Sequence, residues 1–204
     1  MRKWRVSGFQ AVCLRLALLC CFLLGAANIS AQALIQPPFG LRWGDPPGKL
    51  ISWTEKHSLD LNIFTPGDQP GLRSLTIRPQ QGFLPDSPAS SLEGKFLNGG
   101  LYELTLHYAD ASASTEAMER RFETLRKQIA AEHGALTVNE QQRSVEDQFV
   151  TRTRSFHREP VRGMFLLITW TEMEDLLRKT KEARFSLIYR NDNFKKELEN
   201  FKGR

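Results

Sequence analysis

His107 has the sequence neighbours that could support chemistry. Glu103, Thr105 and His107 alternate along one predicted strand, so their side chains should share one of its faces. An imidazole beside a carboxylate and a hydroxyl can act as a general base or help to hold a metal ion. The alternative, which we favour, is a polar stripe of a half-exposed strand that faces solvent.

The rest of the sequence contains few groups arranged for catalysis. His57, His133 and His157 are scattered singly along the chain. There is no G-x-S-x-G elbow, P-loop, H-E-x-x-H pair, dinucleotide-binding fingerprint or EF-hand spacing. We therefore predict no catalytic residue, no metal site and no cofactor, and we keep a polar pocket around His107 as the alternative.

Apolar residues in or near the predicted loops are better candidates for binding. The Pro-rich segment 79–91 is long for a loop of a compact domain, and such loops often bind partners. We expect its Phe83 and Leu84 to be exposed and to contact a partner. In the alternative, Phe83 folds back onto the sheet. Trp43 could line a ligand groove, although core packing is the default for such a side chain.

Residues 1–33 have the pattern of a secretory signal peptide. They carry four basic and no acidic residues, and an apolar run at 16–27 precedes Ala31 and Ala33, which have the A-x-A spacing that signal peptidase recognises. An apolar run of this length is too short to cross a bilayer core of roughly 30 Å, which needs about 20 residues. We predict cleavage after Ala33 rather than after Ala27 or Ala31, and a secreted chain that is periplasmic or extracellular.

All three cysteines, Cys13, Cys20 and Cys21, lie in this leader. Leu19 and Cys20 occupy the positions where a lipobox has Gly, Ala or Ser, so we expect no lipid anchor. The chain after Ala33 contains no cysteine, which excludes thiol nucleophiles, disulfides and thiolate metal sites.

The charge of the chain after the leader is balanced. The 204 residues include 28 Lys and Arg and 23 Asp and Glu, and four of the basic residues belong to the leader. The remaining 24 basic and 23 acidic side chains give a net charge of +1. Such a balance gives no reason to expect a nucleic-acid partner. The length after the leader suits one domain with one core.

Helical periodicity predicts three helices, at 46–57, 114–133 and 194–201. Asp45 is placed to cap the first helix, with Pro46 at its first position. Ser114 should cap the second helix, and Gly134 should supply the left-handed residue after its end.

Period-two alternation predicts six strands, at 73–78, 92–96, 102–108, 145–157, 164–170 and 183–189. The pair Asn98-Gly99 predicts a type I′ hairpin turn, because both residues of that turn need a positive φ. Residues 164–170 are apolar on both faces, as in a central strand. Capping-box spacing predicts one or two helical turns at 171–177.

These elements predict an α+β fold with the order α-β-β-β-α-β-β-β-α. Antiparallel strands with one apolar face each predict a two-layer sandwich with the helices on one face of the sheet. We expect a single domain over 34–193 and a helical tail at 194–204, without a transmembrane segment after the leader. The tail has an apolar stripe opposite lysines, so it either docks on the sheet or makes peripheral contact with a membrane. The two halves could also be a divergent internal repeat.

The segment Phe39-Gly40-Leu41-Arg42-Trp43-Gly44-Asp45-Pro46 leads into the first helix soon after the leader. It resembles the start of many small uncharacterised secreted bacterial proteins. It is also similar to the Gly-Met-Ser/Thr helix start of envelope domains with the β-lactamase-inhibitor-protein-like fold. The resemblance covers about 20 residues, and Asp45 and Pro46 replace the Met and Ser/Thr of that family. It implies a non-enzymatic binding or assembly module and transfers no functional residue.

The sequence therefore predicts a secreted, periplasmic, non-catalytic binding or assembly module that acts on an envelope protein or ligand. The alternative is a small-ligand-binding or hydrolase-like domain that uses the polar groups around His107.

Overall fold

The structure is a computed structural model that describes residues 35–69 and 71–200. These residues belong to one compact unit, Leu34–Arg204. The predicted signal peptide and its cleavage positions, Ala31 and Ala33, lie outside the described residues.

Three helices and eight strands form within the described residues. The helices are α1 (Pro47–Lys56), α2 (Thr115–His133) and α3 (Asp192–Asn200). The strands are β1 (Asp60–Phe64), β2 (Leu72–Arg78), β3 (Ser91–Leu97), β4 (Gly100–Ala109), β5 (Thr137–Glu146), β6 (Phe149–Val161), β7 (Met164–Asp175) and β8 (Thr180–Asn191).

All eight strands join one antiparallel sheet in the order β1-β2-β3-β4-β8-β7-β6-β5. The α+β class is confirmed. The predicted order is wrong, because each half contributes four strands rather than three.

The two strands that the sequence did not indicate are the two edges of the sheet, β1 and β5. None of the residues of either strand is buried. Alternation of apolar and polar residues arises because one face of a strand is buried and the other is exposed to solvent. An edge strand that is exposed on both faces therefore has little such pattern.

The helical turns predicted at 171–177 are also wrong. The segment continues β7 as far as Asp175, and Leu176 then begins the turn to β8. Thr171 pairs with Thr153 of β6 and Arg184 of β8. Hydrogen bonds to two neighbouring strands outweigh the local preference that the capping-box spacing indicates.

The predicted hairpin between β3 and β4 is confirmed. Asn98 has a φ of 49° and Gly99 a φ of 86°, as a type I′ turn requires. The limits of α2 are also close to the predicted ones. The Ser114 hydroxyl accepts a hydrogen bond from the backbone N–H of Ala117 at 3.3 Å, and Gly134 follows the helix with a φ of 91°.

The start of α1 differs from the prediction by one residue. The helix begins at Pro47, and Pro46 is its extended N-cap residue. Asp45 does not cap the helix. Its carboxylate accepts hydrogen bonds from the backbone N–H of Arg42 at 2.6 Å and from Lys49 Nζ at 2.7 Å. The turn before the helix therefore uses the side chain that was expected to cap it.

Helices α1 and α2 contact the same face of the sheet. Phe122 of α2 lies near the rings of Phe156, Trp170 and Phe185. Leu50 of α1 lies over Gly94, where a Cβ atom would come within 2.8 Å of the leucine. The strand register puts Gly94 on the face that also carries these three aromatic rings.

Helix α3 packs beside the β3–β4 turn. A Cβ atom on Gly100 would lie 3.0 Å from Phe194 and 3.1 Å from Leu198, so both side chains rest on the glycine backbone. The Asn98 side-chain amide donates to the Leu198 carbonyl at 2.6 Å. Two apolar residues of the tail are thus used in packing. Contact of the tail with a membrane stays a prediction that this packing does not favour.

Candidate functional site

A groove lies on the sheet face opposite the one that α1 and α2 contact. Side chains of β3, β4, β8, β7 and β6 alternate between the two faces, and the register aligns those on this side into rows. The resulting cavity has a volume of about 500 Å³. We call it the sheet-face groove, and its lining includes Lys95, Glu103, Phe165, Leu167, Ile188 and Arg190.

At one end of the sheet-face groove, side chains of alternating positive and negative charge lie in a row. The Glu103 side chain is only 9% exposed and lies 2.7 Å from Lys95 Nζ and 3.9 Å from Arg190 Nε. Arg190 in turn donates to the carboxylate of Asp192 at 2.5 and 3.1 Å. A carboxylate this buried is stable only with such partners. Burial opposes the charge of Lys95, but the hydrogen bond with Glu103 raises the pKa of its ammonium group overall.

The middle of the groove is apolar. Phe165 and Leu167 of β7 and Ile188 of β8 are partly buried there. Leu167 pairs directly with Ile188 across the two strands, so their side chains are neighbours. Partly exposed apolar side chains surrounded by polar ones are the usual composition of binding surfaces.

The far end of the groove carries His157 and Asn139. The Asn139 amide donates to the Ser155 hydroxyl at 3.1 Å, and Ser155 is buried. Nδ1 of His157 is buried without a hydrogen-bond partner, a state that no other buried side-chain N or O of the described residues shares. An unpaired buried polar atom of this kind costs about 1–3 kcal/mol.

His107 itself does not line the sheet-face groove, whereas Glu103 of the same strand does. Glu103, Thr105 and His107 do share one face, as their alternation predicts. The nearest carboxylate to His107 is Glu93 of β3, whose Oε2 lies 3.8 Å from Nε2 of the imidazole. The Ser74 hydroxyl donates a hydrogen bond of 2.6 Å to the Glu93 carboxylate.

These neighbours determine the chemistry available to Glu93. The attraction of His107, followed by the hydrogen bond from Ser74, lowers the pKa of Glu93 to about 2 although burial opposes the shift. The Ser74 hydroxyl donates to this carboxylate, but a carboxylate with a pKa of about 2 is a weak base and does little to activate the serine as a nucleophile. Glu93 and His107 form a partly exposed pair of a carboxylate and an imidazole on the face of the sheet.

The remaining predicted binding residues lie elsewhere. Trp43 is partly buried against the core, and its Nε1 donates to the Ile35 carbonyl at 2.7 Å. Leu84 is 3% exposed, so the expectation that it is exposed is wrong. Its backbone N–H donates to the Ala89 carbonyl at 2.8 Å, which closes the loop and turns the side chain inward.

Phe83, by contrast, is 43% exposed and forms one wall of a second cavity. This cavity lies between the 79–91 loop and α2 and has a volume of about 470 Å³. We call it the loop–helix cavity, and its lining includes Phe83, Pro88, Tyr108, Met118, Leu125 and Phe185.

Sequence reasoning missed the residues of the sheet-face groove. The apolar residues on both faces of 164–170 were a usable signal, and they did predict a central strand. They did not indicate that Phe165 and Leu167 stay partly exposed. Lys95 and Arg190 are far apart in the sequence, and only strand pairing brings both to Glu103.

No helix in 35–69 or 71–200 has the length and apolar character needed to pass through a membrane. In the same residues, no three His, Cys, Asp or Glu side chains are grouped so as to hold a metal ion. Comparison with family models, with curated proteins and with solved structures finds no match to the chain.

Proposed function

We propose that this protein is a secreted, periplasmic, non-catalytic module that binds a partner protein through the sheet-face groove. The observation that carries the proposal is the apolar centre of the groove, formed by Phe165, Leu167 and Ile188 between charged side chains. Protein interfaces are built in this way, with apolar side chains at the centre and polar groups at the rim. The export signal predicted in 1–33 supports an envelope location.

A two-layer arrangement would leave this groove accessible. The contacts of α1 and α2 with one face of the sheet support such an arrangement, in which the opposite face remains free for a partner. The resemblance of the segment around Trp43 to envelope modules with the β-lactamase-inhibitor-protein-like fold supports the same class of function. Both the layer arrangement and this resemblance are part of the proposal.

Fixed charges at the rim would give the interface its selectivity. Lys95, Glu103, Arg190 and Asp192 hold one another in place, so a partner meets a preorganised pattern of positive and negative groups. Complementary charges on a partner favour the correct pairing and disfavour others. The unpaired Nδ1 of His157 at the other end is consistent with a surface kept for binding rather than for stability alone.

A second candidate function is small-ligand binding or hydrolysis around His107. The pair of His107 and Glu93, 3.8 Å apart on the same face, is the observation that favours it. The low pKa of Glu93, about 2, argues for a binding role of this pair over a hydrolytic one, because such a carboxylate is a weak general base.

Site-specific cross-linking in the exporting cell tests the main proposal. A photoreactive amino acid at Phe165, within the groove, should yield one discrete cross-linked protein. The same amino acid at Lys127, an exposed position of α2, serves as the matched control and should not. Equal products from both positions would contradict the proposal.

Substitutions in the groove then identify the energetic centre. Leu167→Asp should reduce the cross-linked product because the loss of an interface hot spot of about 2 kcal/mol weakens binding about thirtyfold. Arg190→Glu provides a second test at the rim. His107→Gln should leave the cross-link unchanged under the main proposal and reduce it under the second one. Thermal melts of each variant separate lost binding from lost folding.

A further inference from the structure

The loop–helix cavity has the size and lining of a small-molecule site. Its volume of about 470 Å³ falls in the range of about 300–1,000 Å³ that is usual for ligand pockets. It is separate from the sheet-face groove, since Tyr108 and Phe185 line it from the sheet face that carries Trp170. Nothing in the proposed protein-binding function uses it.

The interior of the cavity is aromatic and aliphatic. The rings of Tyr108 and Phe185 are stacked, with centroids 4.4 Å apart and an angle of 11° between their planes, and both line the cavity. Met118 and Leu125 of α2 form another wall, and Phe83 closes the side towards the loop. Such a surface favours an apolar ligand body through burial of its area.

Three uncharged polar residues line the cavity, and Tyr108 is buried whereas Thr124 and Gln128 are exposed. The hydroxyl of Tyr108 adds a polar group to its aromatic part. Burial and the neighbouring Tyr189 raise the pKa of its phenol well above the usual range. The phenol therefore stays protonated at physiological pH and keeps its O–H as a donor.

The charged residues of the lining are both arginines. Arg120 and Arg121 belong to consecutive positions of α2, and the described residues that line the cavity include no carboxylate. Arg121 is paired at 2.8 Å with Asp110, which lies outside the lining, and its guanidinium lies 6.0 Å from the Phe83 ring centroid. Glu116, also outside the lining, interacts electrostatically with Arg120. The lining itself presents two guanidinium groups and no carboxylate, which favours an anionic ligand group.

We propose that the loop–helix cavity binds a small carboxylic acid with an apolar body. The apolar body lies on the stacked rings of Tyr108 and Phe185, and the carboxylate lies at the mouth beside Arg120 and Arg121. Phe83 is then a ligand contact, and its exposure is explained by its position at the cavity wall.

Three ligands of equal chain length test this proposal by calorimetry on the purified exported protein. Decanoate carries the carboxylate, decanol has no charge, and decyltrimethylammonium carries a positive charge. We expect saturable binding of decanoate, weaker binding of decanol and the weakest binding of the cation. Absence of saturable decanoate binding, or equal binding of all three ligands, would overturn the proposal.

Three variants, one of them a control, locate the bound molecule. Ala117 lines the cavity, so Ala117→Leu should fill it and abolish saturable decanoate binding. Ala131→Leu, at an exposed position of the same helix, is the matched control and should bind like the wild type. Arg120→Ala should weaken decanoate binding about two- to fivefold, as expected for an exposed ion pair, and leave decanol binding unchanged.

Amide shifts in the nuclear magnetic resonance spectrum of the labelled protein provide an independent readout. Decanoate should shift the amide signals of Phe83, Tyr108 and Met118 more than those of Leu167 in the sheet-face groove. Shifts concentrated at Leu167, or unaltered binding by Ala117→Leu, would overturn the assignment of this cavity.

Discussion

The ring of Phe122 in α2 meets the ring of Phe185 in β8 almost edge to face, with centroids 5.7 Å apart and an angle of 71° between the planes. Phe122 is fully buried and also lies 5.5 Å from the Trp170 ring and 6.2 Å from the Phe156 ring. One side chain therefore joins α2 to three strands, β6, β7 and β8.

The first prediction concerns this contact. Phe122→Ala should lower the free energy of unfolding by about 3 to 5 kcal/mol, because it removes buried apolar area and leaves a cavity among three aromatic rings. Denaturant unfolding curves measure the change. Lys127→Ala, on the exposed side of the same helix, should change stability little. A loss below about 1 kcal/mol for Phe122→Ala would mean that α2 is held by other contacts.

A second prediction concerns the β3–β4 turn. Gly99→Val should destabilise the protein by about 1–2 kcal/mol or more, because Gly99 has a φ of 86° that a β-branched residue tolerates poorly. Space is not the cause, since no atom lies within 4 Å of the position that its Cβ would take.

Gly48 of α1 supplies the matched control for Gly99. It also has open space at its Cβ position but has no positive φ. Gly48→Ala should therefore raise stability by about 0.5–1 kcal/mol through helix propensity. Thermal or chemical melts that show the same effect for both glycine substitutions would refute the assigned role of the turn conformation.

The third prediction concerns acid stability. Glu93 has a pKa of about 2 in the folded protein and an ordinary value of 4.5. The unfolded chain therefore takes up this proton near pH 4.5, and the folded protein takes it up only near pH 2. The stability that Glu93 contributes is present above about pH 4.5 and is lost as the pH falls towards 2.

Glu93→Gln should consequently flatten the decline of stability across this pH interval. Some decline should remain, because hydrogen bonds from Ser112 and Arg121 also lower the pKa of Asp110 to about 2. Chemical unfolding of the wild type and the variant at several pH values gives the difference. Parallel curves for the two proteins would show that the contacts of Glu93 with His107 and Ser74 do not contribute to acid stability.

The fourth prediction concerns the attachment of α3. Gly100→Ala places a Cβ atom about 3 Å from both Phe194 and Leu198, and such overpacking costs roughly 1–3 kcal/mol. Leu198→Ala in the same chain removes one of the two clashing side chains. The double variant should therefore be more stable than the sum of the single effects predicts. Strictly additive losses in denaturant melts would indicate that α3 does not pack on Gly100.

The elements that the sequence predicted well are those whose signals are local. The turn Asn98-Gly99 needs positive φ at two adjacent residues, and few residue types other than Asn, Asp and Gly supply this. Helix α2 has a polar cap at Ser114 and a glycine at its end. Neither feature depends on what the element later packs against, so both predictions agree with the structure.

The elements that the sequence predicted poorly depend on contacts with residues that are distant in the chain. Strand β5 is polar and exposed, and it forms a strand because its backbone pairs with that of β6. Thr171 lies within β7 because two strands pair with it, against its local helical signal. Leu84 is buried because the 79–91 loop closes on itself, which the number of prolines in the loop does not indicate.

The sequence by itself determined the α+β class, the absence of cysteine from residues 34–204, the hairpin and the long helix, and it predicts an export signal in residues 1–33. The hairpin and the long helix each follow from residue types and spacings within one short segment, and the α+β class follows from several such segments along the chain. Only the tertiary structure decided the two cavities. Strand register brings Lys95 and Arg190 to Glu103. Closure of the 79–91 loop makes Phe83 line the same cavity as Tyr108 and Phe185. A binding surface is made of side chains from several elements, so its composition is set by how the elements pair and not by the local pattern of any one of them.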